Sequence, residues 1–394
     1  MGRAAPTERM GVPYNGMGDR ACWCRAASEG AMLRAGIVGL PNVGKSTLFN
    51  ALIENAAADA ANFPFCTIEP NVGVVAVPDE RLAVLAELSN SARIVPTRIE
   101  FVDIAGLVEG ASRGEGLGNQ FLANIREVDA IVHVVRCFES DEIAHVAGGV
   151  DPERDIETIN LELVLSDLEQ LERRLQRARK EAKKDASVQT ELAVLEKLEP
   201  ALSEGKAVRQ LELSAQELAA IKHLGLLSAK PVIYAANVAE PDIATGNGWV
   251  ERVREVAQRE GASTVVVSAQ VESELIELEP AERQAYLASL GVSEGGLQSL
   301  IRATYERLGL RTYLTTGEQE TRAWTIRAGM KAPEAAGAIH SDMQRGFIRA
   351  ETIDYDSLVA AGSLNAAREQ GLLRSEGKDY IVQEGDVITF KFNV

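Results

Sequence analysis

The chain has 394 residues, of which 46% are hydrophobic and 25% charged, with a formal net charge of −17. That length predicts two or three domains, and the composition suits a globular fold with a sizeable core. No run approaches eighteen uncharged apolar residues, which argues against a membrane-spanning helix. The acid excess argues against DNA or RNA binding by the surface as a whole, while leaving room for a local basic patch.

Cys22, Cys24, Cys66 and Cys137 are too few for a disulfide framework in a chain this long, and they fit a reduced, cytoplasmic setting. Residues 1–31 scatter Gly, Pro, Arg and Ala without periodicity and hold no apolar stretch long enough for a secretory signal. They are expected to be a disordered extension, with the packed fold beginning at Met32.

Ala35-Gly36-Ile37-Val38 reads as a short buried strand, and Leu48, Phe49, Leu52 and Ile53 recur at helical spacing. Between them, Gly39-Leu40-Pro41-Asn42-Val43-Gly44-Lys45-Ser46-Thr47 fits G-x-x-x-x-G-K-[ST]. Glycines let such a loop curl until its amides, and the N-terminus of the next helix, face phosphate oxygens. Asn42, Val43, Gly44, Lys45, Ser46 and Thr47 are therefore candidate nucleotide-binding residues. Lys45 would reach the β- and γ-phosphates, and Ser46 would ligate Mg²⁺. A Gly-rich turn with a chance lysine is the competing reading, and the flanking strand and helix speak against it.

Asn62-Phe63-Pro64-Phe65-Cys66-Thr67-Ile68-Glu69-Pro70 forms a loop around Thr67. Thr67 is the candidate switch I residue, with its hydroxyl for Mg²⁺ and its amide for the γ-phosphate; a plain surface-loop threonine is the alternative. Ile99-Glu100-Phe101-Val102-Asp103-Ile104-Ala105-Gly106 is a strand ending in D-x-x-G. In P-loop enzymes that Asp, here Asp103, reaches Mg²⁺ through water. Residues 106–118 hold five glycines, whose ordering entropy suits a switch region. Leu107 stands where Ras-like GTPases place the glutamine that orients the attacking water. Leucine can neither donate nor accept a hydrogen bond, so hydrolysis needs another group, a cation or a partner, or is slow.

Ile131 to Arg136 is a further buried strand, and His145 follows it. Read from the residues alone, His145 is a surface-loop histidine. Residues 158–225 then interrupt the α/β pattern. Leu161, Leu165, Leu168 and Leu175 make an a/d stripe, Val188 to Leu202 a second arm, and Ser214-Ala215-Gln216-Glu217 a capping box. The prediction is an antiparallel helical hairpin. Its first arm carries Arg173, Arg174, Arg177, Arg179, Lys180, Lys183 and Lys184. That basic density is either an RNA contact or a solvated face paired with Glu169, Glu172 and Glu181.

Lys230 to Asn237 is another buried strand, ending in Asn237-Val238-Ala239-Glu240 where GTPases carry N-K-x-D. In GTPases the Asp accepts two hydrogen bonds from guanine, each worth about 1.5–3 kcal/mol. With valine for lysine and glutamate for aspartate, most guanine preference is lost and adenine becomes a plausible or preferred base. Thr264-Val265-Val266-Val267-Ser268-Ala269-Gln270 resembles the S-A-K loop that closes over the base, which adds Ser268 and Ala269 to the candidates. From Gly309 the pattern turns to short strands at 312–316, 323–326, 348–353 and 386–394 around a helix signal at 335–343. Those elements describe a small β-grasp fold without a catalytic constellation.

Together these motifs predict an α/β P-loop G domain with a parallel-sheet core over residues 32–287, a helical insert at about 158–225, and an α+β domain over 309–392. From Met32 to Val394 the chain resembles the YchF-type ATPases of the Obg-related branch of P-loop GTPases. The most specific marks are Asn62–Pro70 and the altered Asn237–Glu240 tetrad. The resemblance implies that the C-terminal module is a TGS domain, that ATP is preferred over GTP, and that hydrolysis is slow. It also implies association with the ribosome or its large subunit, Mg²⁺ held through Ser46 and Thr67, and adenine contacts at Asn237 and Val238. A mobile histidine has been linked to hydrolysis in this family, and His145 matches it. Asn42 raises the further expectation of K⁺, because some GTPases lacking the glutamine use an asparagine there to hold that ion. A conventional GTP switch and a ribosome-binding adaptor with only structural nucleotide are the rival readings.

Overall fold

The computed structural model describes residues 32–60, 71–104, 117–141, 145, 148–183, 185 and 188–393. The extension 1–31, Thr67 and Leu107 lie outside them. In chain order the strands are β1 (Arg34–Val38), β2 (Val72–Ala76), β3 (Ile94–Val95), β4 (Arg98–Asp103), β5 (Ala130–Arg136), β6 (Val232–Asn237) and β7 (Ser263–Val267). β8 (Leu310–Thr315), β9 (Thr321–Arg327), β10 (Phe347–Asp354), β11 (Arg374–Glu376) and β12 (Asp386–Phe392) follow. The helices used below are α1 (Lys45–Ala60), α2 (Arg81–Ser89), α3 (Leu117–Glu127), α4 (Pro152–Glu181) and α5 (Val188–Ser203). To these are added α6 (Ala215–Ile221), α7 (Gly248–Glu260), α8 (Ala269–Ile276), α9 (Pro280–Ser289) and α10 (Gly296–Arg307).

The first sheet has the order β2-β4-β1-β5-β6-β7, with β2 antiparallel to β4 and every other pairing parallel. Every residue of β5 and β6 is buried. Parallel strands covered by helices on both faces need such unbroken apolar runs. The ends of β1, β4 and β6, where Val38, Asp103 and Asn237 sit, are carboxyl ends of parallel strands. That is the edge at which open α/β sheets bind ligands.

α4 is capped by Asp151, whose carboxylate accepts the Arg154 amide at 3.4 Å, with Pro152 at its first position. Its 30 residues span about 45 Å at helical rise. Ile156, Ile159 and Leu163 join the core of the first sheet, whereas Leu171, Leu175 and Ala178 pack with Leu195, Leu198 and Leu202 of α5. The expected leucine stripe is therefore shifted. Leu175 is buried, but Leu161 is 49% exposed. The first half of α4 answers to the sheet rather than to α5, and that rotates the buried face.

A buried polar knot binds this hairpin to the sheet. Arg209, just ahead of α6, pairs with Glu260 of α7 at 2.8 Å, and each side chain is about 5% exposed. Tyr234 of β6 donates to Glu260 at 2.7 Å, and Asn160 of α4 donates to it at 2.8 Å. Arg209 in turn donates to Asn160 Oδ1 at 2.6 Å.

The second sheet has the order β11-β10-β12-β8-β9-β3. Without β3 it is a β-grasp sheet, with β12 parallel to β8 at its centre. β3 comes from between two strands of the first sheet and pairs in parallel with β9, Ile94 opposite Thr321. α2 joins it, placing Leu82 and Leu85 in one core with Leu314, Ile353 and Val387. In the other direction, α10 buries Leu297, Leu300 and Ile301 in the first core. The packing thus runs across the boundaries expected from the sequence at 287 and 309.

Glu272 of α8 accepts the amide of Gly296, the first residue of α10, at 2.6 Å. Burial pushes its carboxyl up to about 7, against the opposing pull of the Gly296 and Leu297 amides. Its pKa in the fold exceeds the unfolded value of 4.5, so the folded state binds the extra proton and loses stability as pH rises from 4.5 to about 7. His133 of β5 acts in the opposite sense. Burial, then the Arg209 charge, push its imidazole down to about 3, which lowers stability as pH falls below 6.5. Comparing wild type with Glu272→Gln isolates the first effect. The variant is expected to gain stability relative to wild type, on the order of 3 kcal/mol, as pH rises from 5 to 8 in urea titrations. A constant difference across that range would refute the assignment.

Candidate nucleotide site

The phosphate loop lies between β1 and α1, with its shape set by two glycines. A Cβ on Gly39 would lie 2.8 Å from the Val134 carbonyl oxygen and 2.9 Å from Val43. Gly44 has φ +90°, and a Cβ there would collide with Asn237 Nδ2. Asn42 also sits in the left-handed region, at φ +62°, which asparagine tolerates. α1 opens at Lys45 with no acidic residue in its first turn. Its unsatisfied amides and the positive end of its dipole therefore favour an anion. Val43 and Lys45 are buried, while Asn42, Ser46 and Thr47 are exposed.

The Lys45 ammonium contacts the Asp103 carboxylate at the end of β4. β4 pairs with β1 in the register Ile37 opposite Asp103, which brings the two motifs side by side. The Ser46 hydroxyl and Asp103 carboxylate are hard oxygen donors of the kind Mg²⁺ takes. Among the described residues no group of three or more His, Cys, Asp or Glu forms a metal cage. That donor set fits Mg²⁺, which keeps water and substrate phosphates in its shell instead of a full protein cage.

At the base end Asn237 carries a structural tie beside the role expected of it. The Asn237 carboxamide has both ends occupied: Nδ2 donates to the Val43 carbonyl at 2.9 Å, and Oδ1 accepts the Ala269 amide at 2.9 Å. Its side chain ties the phosphate loop to the Ser268–Ala269 loop, with the second Nδ2 hydrogen left over by these two bonds. Val238 is 2% exposed, and its amide donates to Val267 at 2.9 Å, so it forms wall. Ser268 is fully buried and caps α8 by accepting the Val271 amide at 3.5 Å. Glu240, at the position of the guanine-reading aspartate, accepts a hydrogen bond from Tyr286 of α9 at 3.1 Å. Nothing in the sequence motifs pointed to Tyr286.

His145 is not on the surface. Its side chain is 5% exposed, and Nε2 lies 2.9 Å from Asp155 Oδ2 in the first turn of α4. Burial excludes the surface-loop reading. Asp155 was missed because an acid in the first turn of a helix reads as dipole compensation.

The basic arm of α4 is divided. Arg174 pairs with Glu191 at 2.6 Å and Glu181 at 2.7 Å, and Arg173 and Arg179 each reach a glutamate at 3.3 Å. Arg177, Lys180 and Lys183 are exposed and carry no ion pair among the described residues. No described helix is long and apolar enough to cross a membrane.

Comparison with known proteins agrees with this geometry. A family model described as a 50S ribosome-binding GTPase matches residues 34–195. A second model, for the YchF GTPase C-terminal region and described as a protein of unknown function, matches 310–393. The Bacillus subtilis ribosome-binding ATPase YchF is 56% identical over 365 residues, covering 92% of this chain and 100% of the relative. The chain belongs to the YchF family. The Escherichia coli O157:H7 member is 55% identical over 362 residues, covering 92% of this chain and 99% of its own length. Among solved structures, the Schizosaccharomyces pombe YchF GTPase superposes with a TM-score of 0.84 at 38% identity, covering 94% of this chain and 99% of that one. YchF membership accounts for the whole plan: a P-loop G domain, the helical hairpin and a C-terminal sheet domain.

Proposed function

We propose that this protein hydrolyses ATP in preference to GTP, slowly and with Mg²⁺, and that it uses the nucleotide cycle while bound to the large ribosomal subunit. The observation that carries the base preference is Glu240. Its carboxylate is already bonded to Tyr286, and no lysine precedes it to pack along a base. With Glu240 Oε1 held by Tyr286, guanine would forgo at least one of two charge-assisted hydrogen bonds of about 1.5–3 kcal/mol each. Adenine forgoes nothing there, having no donors at those positions. The ribosomal partner is supported by the relatives' names and by the exposed Arg177 and Lys180 of α4 and Lys183 just beyond its end. The C-terminal sheet domain is the other candidate contact.

In this reading, Lys45 and the loop amides neutralise phosphate charge. Ser46 and Thr67 would hold Mg²⁺, with Asp103 reaching it through water; when bound, the ion supplies charge neutralisation at the phosphates. Asn237 keeps the phosphate loop and the base wall at a fixed separation. His145 is the group that orients the attacking water in place of the missing glutamine. Competing ATP and GTP against a fluorescent nucleotide tests the preference. ATP should displace it at least tenfold better, and a GTP preference would make the protein a conventional GTPase.

Asn42 supports a second cation. Its exposed position in the loop suits K⁺ beside the phosphates, so turnover should rise several-fold in K⁺ over Na⁺ at equal ionic strength. Equal rates would remove K⁺ from the account.

A further inference from the structure

We infer that Asp155 is a positioning residue that restrains His145, so that the first turn of α4 sets how often the imidazole is free to act. This rests on the reading of His145 as the water-orienting group. The restraint is built from several bonds. Asp155 Oδ2 holds His145 Nε2 at 2.9 Å, and Oδ1 accepts from Arg154 at 3.2 Å. Arg154 also donates to the Gly149 carbonyl at 2.7 Å, and the Gly148 amide donates to the His145 carbonyl at 3.1 Å. Residues 145, 148 and 149 are thereby tied to one helical turn. That turn is itself fixed, because Asp151 caps it and Ile156 is fully buried in the sheet core.

Charge explains why the bond forms here. Asp155 is 2% exposed and faces the buried Arg136 at the end of β5 as well as Arg154. Beside it the Cys137 thiol is pushed up to about 12, by burial first and then by the Asp155 charge. Asp155 is thus a charged acceptor in a nearly dry place, where a hydrogen bond to charge is at its strongest. While Nε2 is engaged there, that nitrogen cannot orient a water molecule. The rate of any step that needs it falls by the fraction of time it is free. A neutral acceptor binds more weakly by enough to raise that fraction about tenfold.

The test uses the full-length protein and steady-state hydrolysis of Mg·ATP. Asp155→Asn should raise kcat about tenfold with KM within twofold of wild type. Asp155→Asn combined with His145→Ala should fall to the level of His145→Ala alone. A structural role for Asp155 would not give that split or that dependence on His145. An unchanged or lowered kcat in Asp155→Asn overturns the inference, as does a double variant that keeps the increase. If His145→Ala alone leaves kcat unchanged, the reading of His145 fails and the restraint fails with it. That outcome is distinct from a slowed His145→Ala accompanied by a silent Asp155→Asn. Should the asparagine variant not fold, Asp155→Ser, which is smaller and neutral, carries the same comparison.

Discussion

Arg209→Ala should lower the free energy of unfolding by about 3–5 kcal/mol, the range expected when one partner of a buried ion pair is removed. Arg209 and Glu260 are 2.8 Å apart, each nearly sealed from water, and neither has solvent to fall back on. The alanine variant leaves the Glu260 carboxylate with only the Tyr234 hydroxyl and the Asn160 amide. It also frees Asn160 Oδ1 from its 2.6 Å bond. The loss should appear as a lower urea midpoint at unchanged slope. Because the knot joins the hairpin, β6 and α7, the destabilisation should be global. Replacing both charges at once, as Arg209→Met with Glu260→Leu, should recover part of the loss, since the desolvation penalty of both ions disappears. A double variant less stable than Arg209→Ala would contradict this account of the pair.

Asn237→Ala should act on the nucleotide site as strongly as Arg209→Ala acts on the fold. It strands two buried backbone groups, the Val43 carbonyl and the Ala269 amide, each at about 1–3 kcal/mol. Some of that will appear as lower stability. The remainder should appear as weaker ATP binding, because the phosphate loop is no longer held against the base wall. A loss of affinity of about a hundredfold in calorimetry is expected. Gly44→Ala should give the same phenotype by another route. An alanine at φ +90° is strained, and its methyl group displaces the same carboxamide. Two variants at either end of one contact, both weak for ATP, would identify the tie as the cause. Normal affinity in Asn237→Ala would show that the tie is dispensable.

The phosphate loop, the D-x-x-G strand and the tetrad strand were legible in the sequence because each couples an apolar run to a short motif of fixed spacing. Four of the five C-terminal strands were legible as short strand patterns, whereas β11, three residues long, was not. What escaped has a common physical origin, since it depends on partners distant in sequence. β3 is two residues long and takes its order from Thr321 and Arg322 of β9. The single helix expected over 335–343 is two short helices, Ala332–Gly337 and Ser341–Arg345. The second is capped by His340, whose ring accepts the Asp342 amide at 3.2 Å. The shifted face of α4 was set by the sheet and could not be read from leucine spacing. At the site, the strand carrying Asp103 lies beside the phosphate loop, as the motif order implied. The tie made by the Asn237 side chain went unseen because a motif names a residue without saying which atoms are already bonded. Asp155 and Tyr286 carry no motif and became visible only through the groups they touch.

Titrating the purified protein with Mg·ATP and with Mg·GTP in parallel by isothermal calorimetry tests the central claim most directly. An amide-lined triphosphate grip beside a base seat whose acid, Glu240, is held by Tyr286 predicts binding of both nucleotides, with a Kd for ATP at least tenfold lower. GTP binding tighter than ATP, or no heat from either, would contradict it.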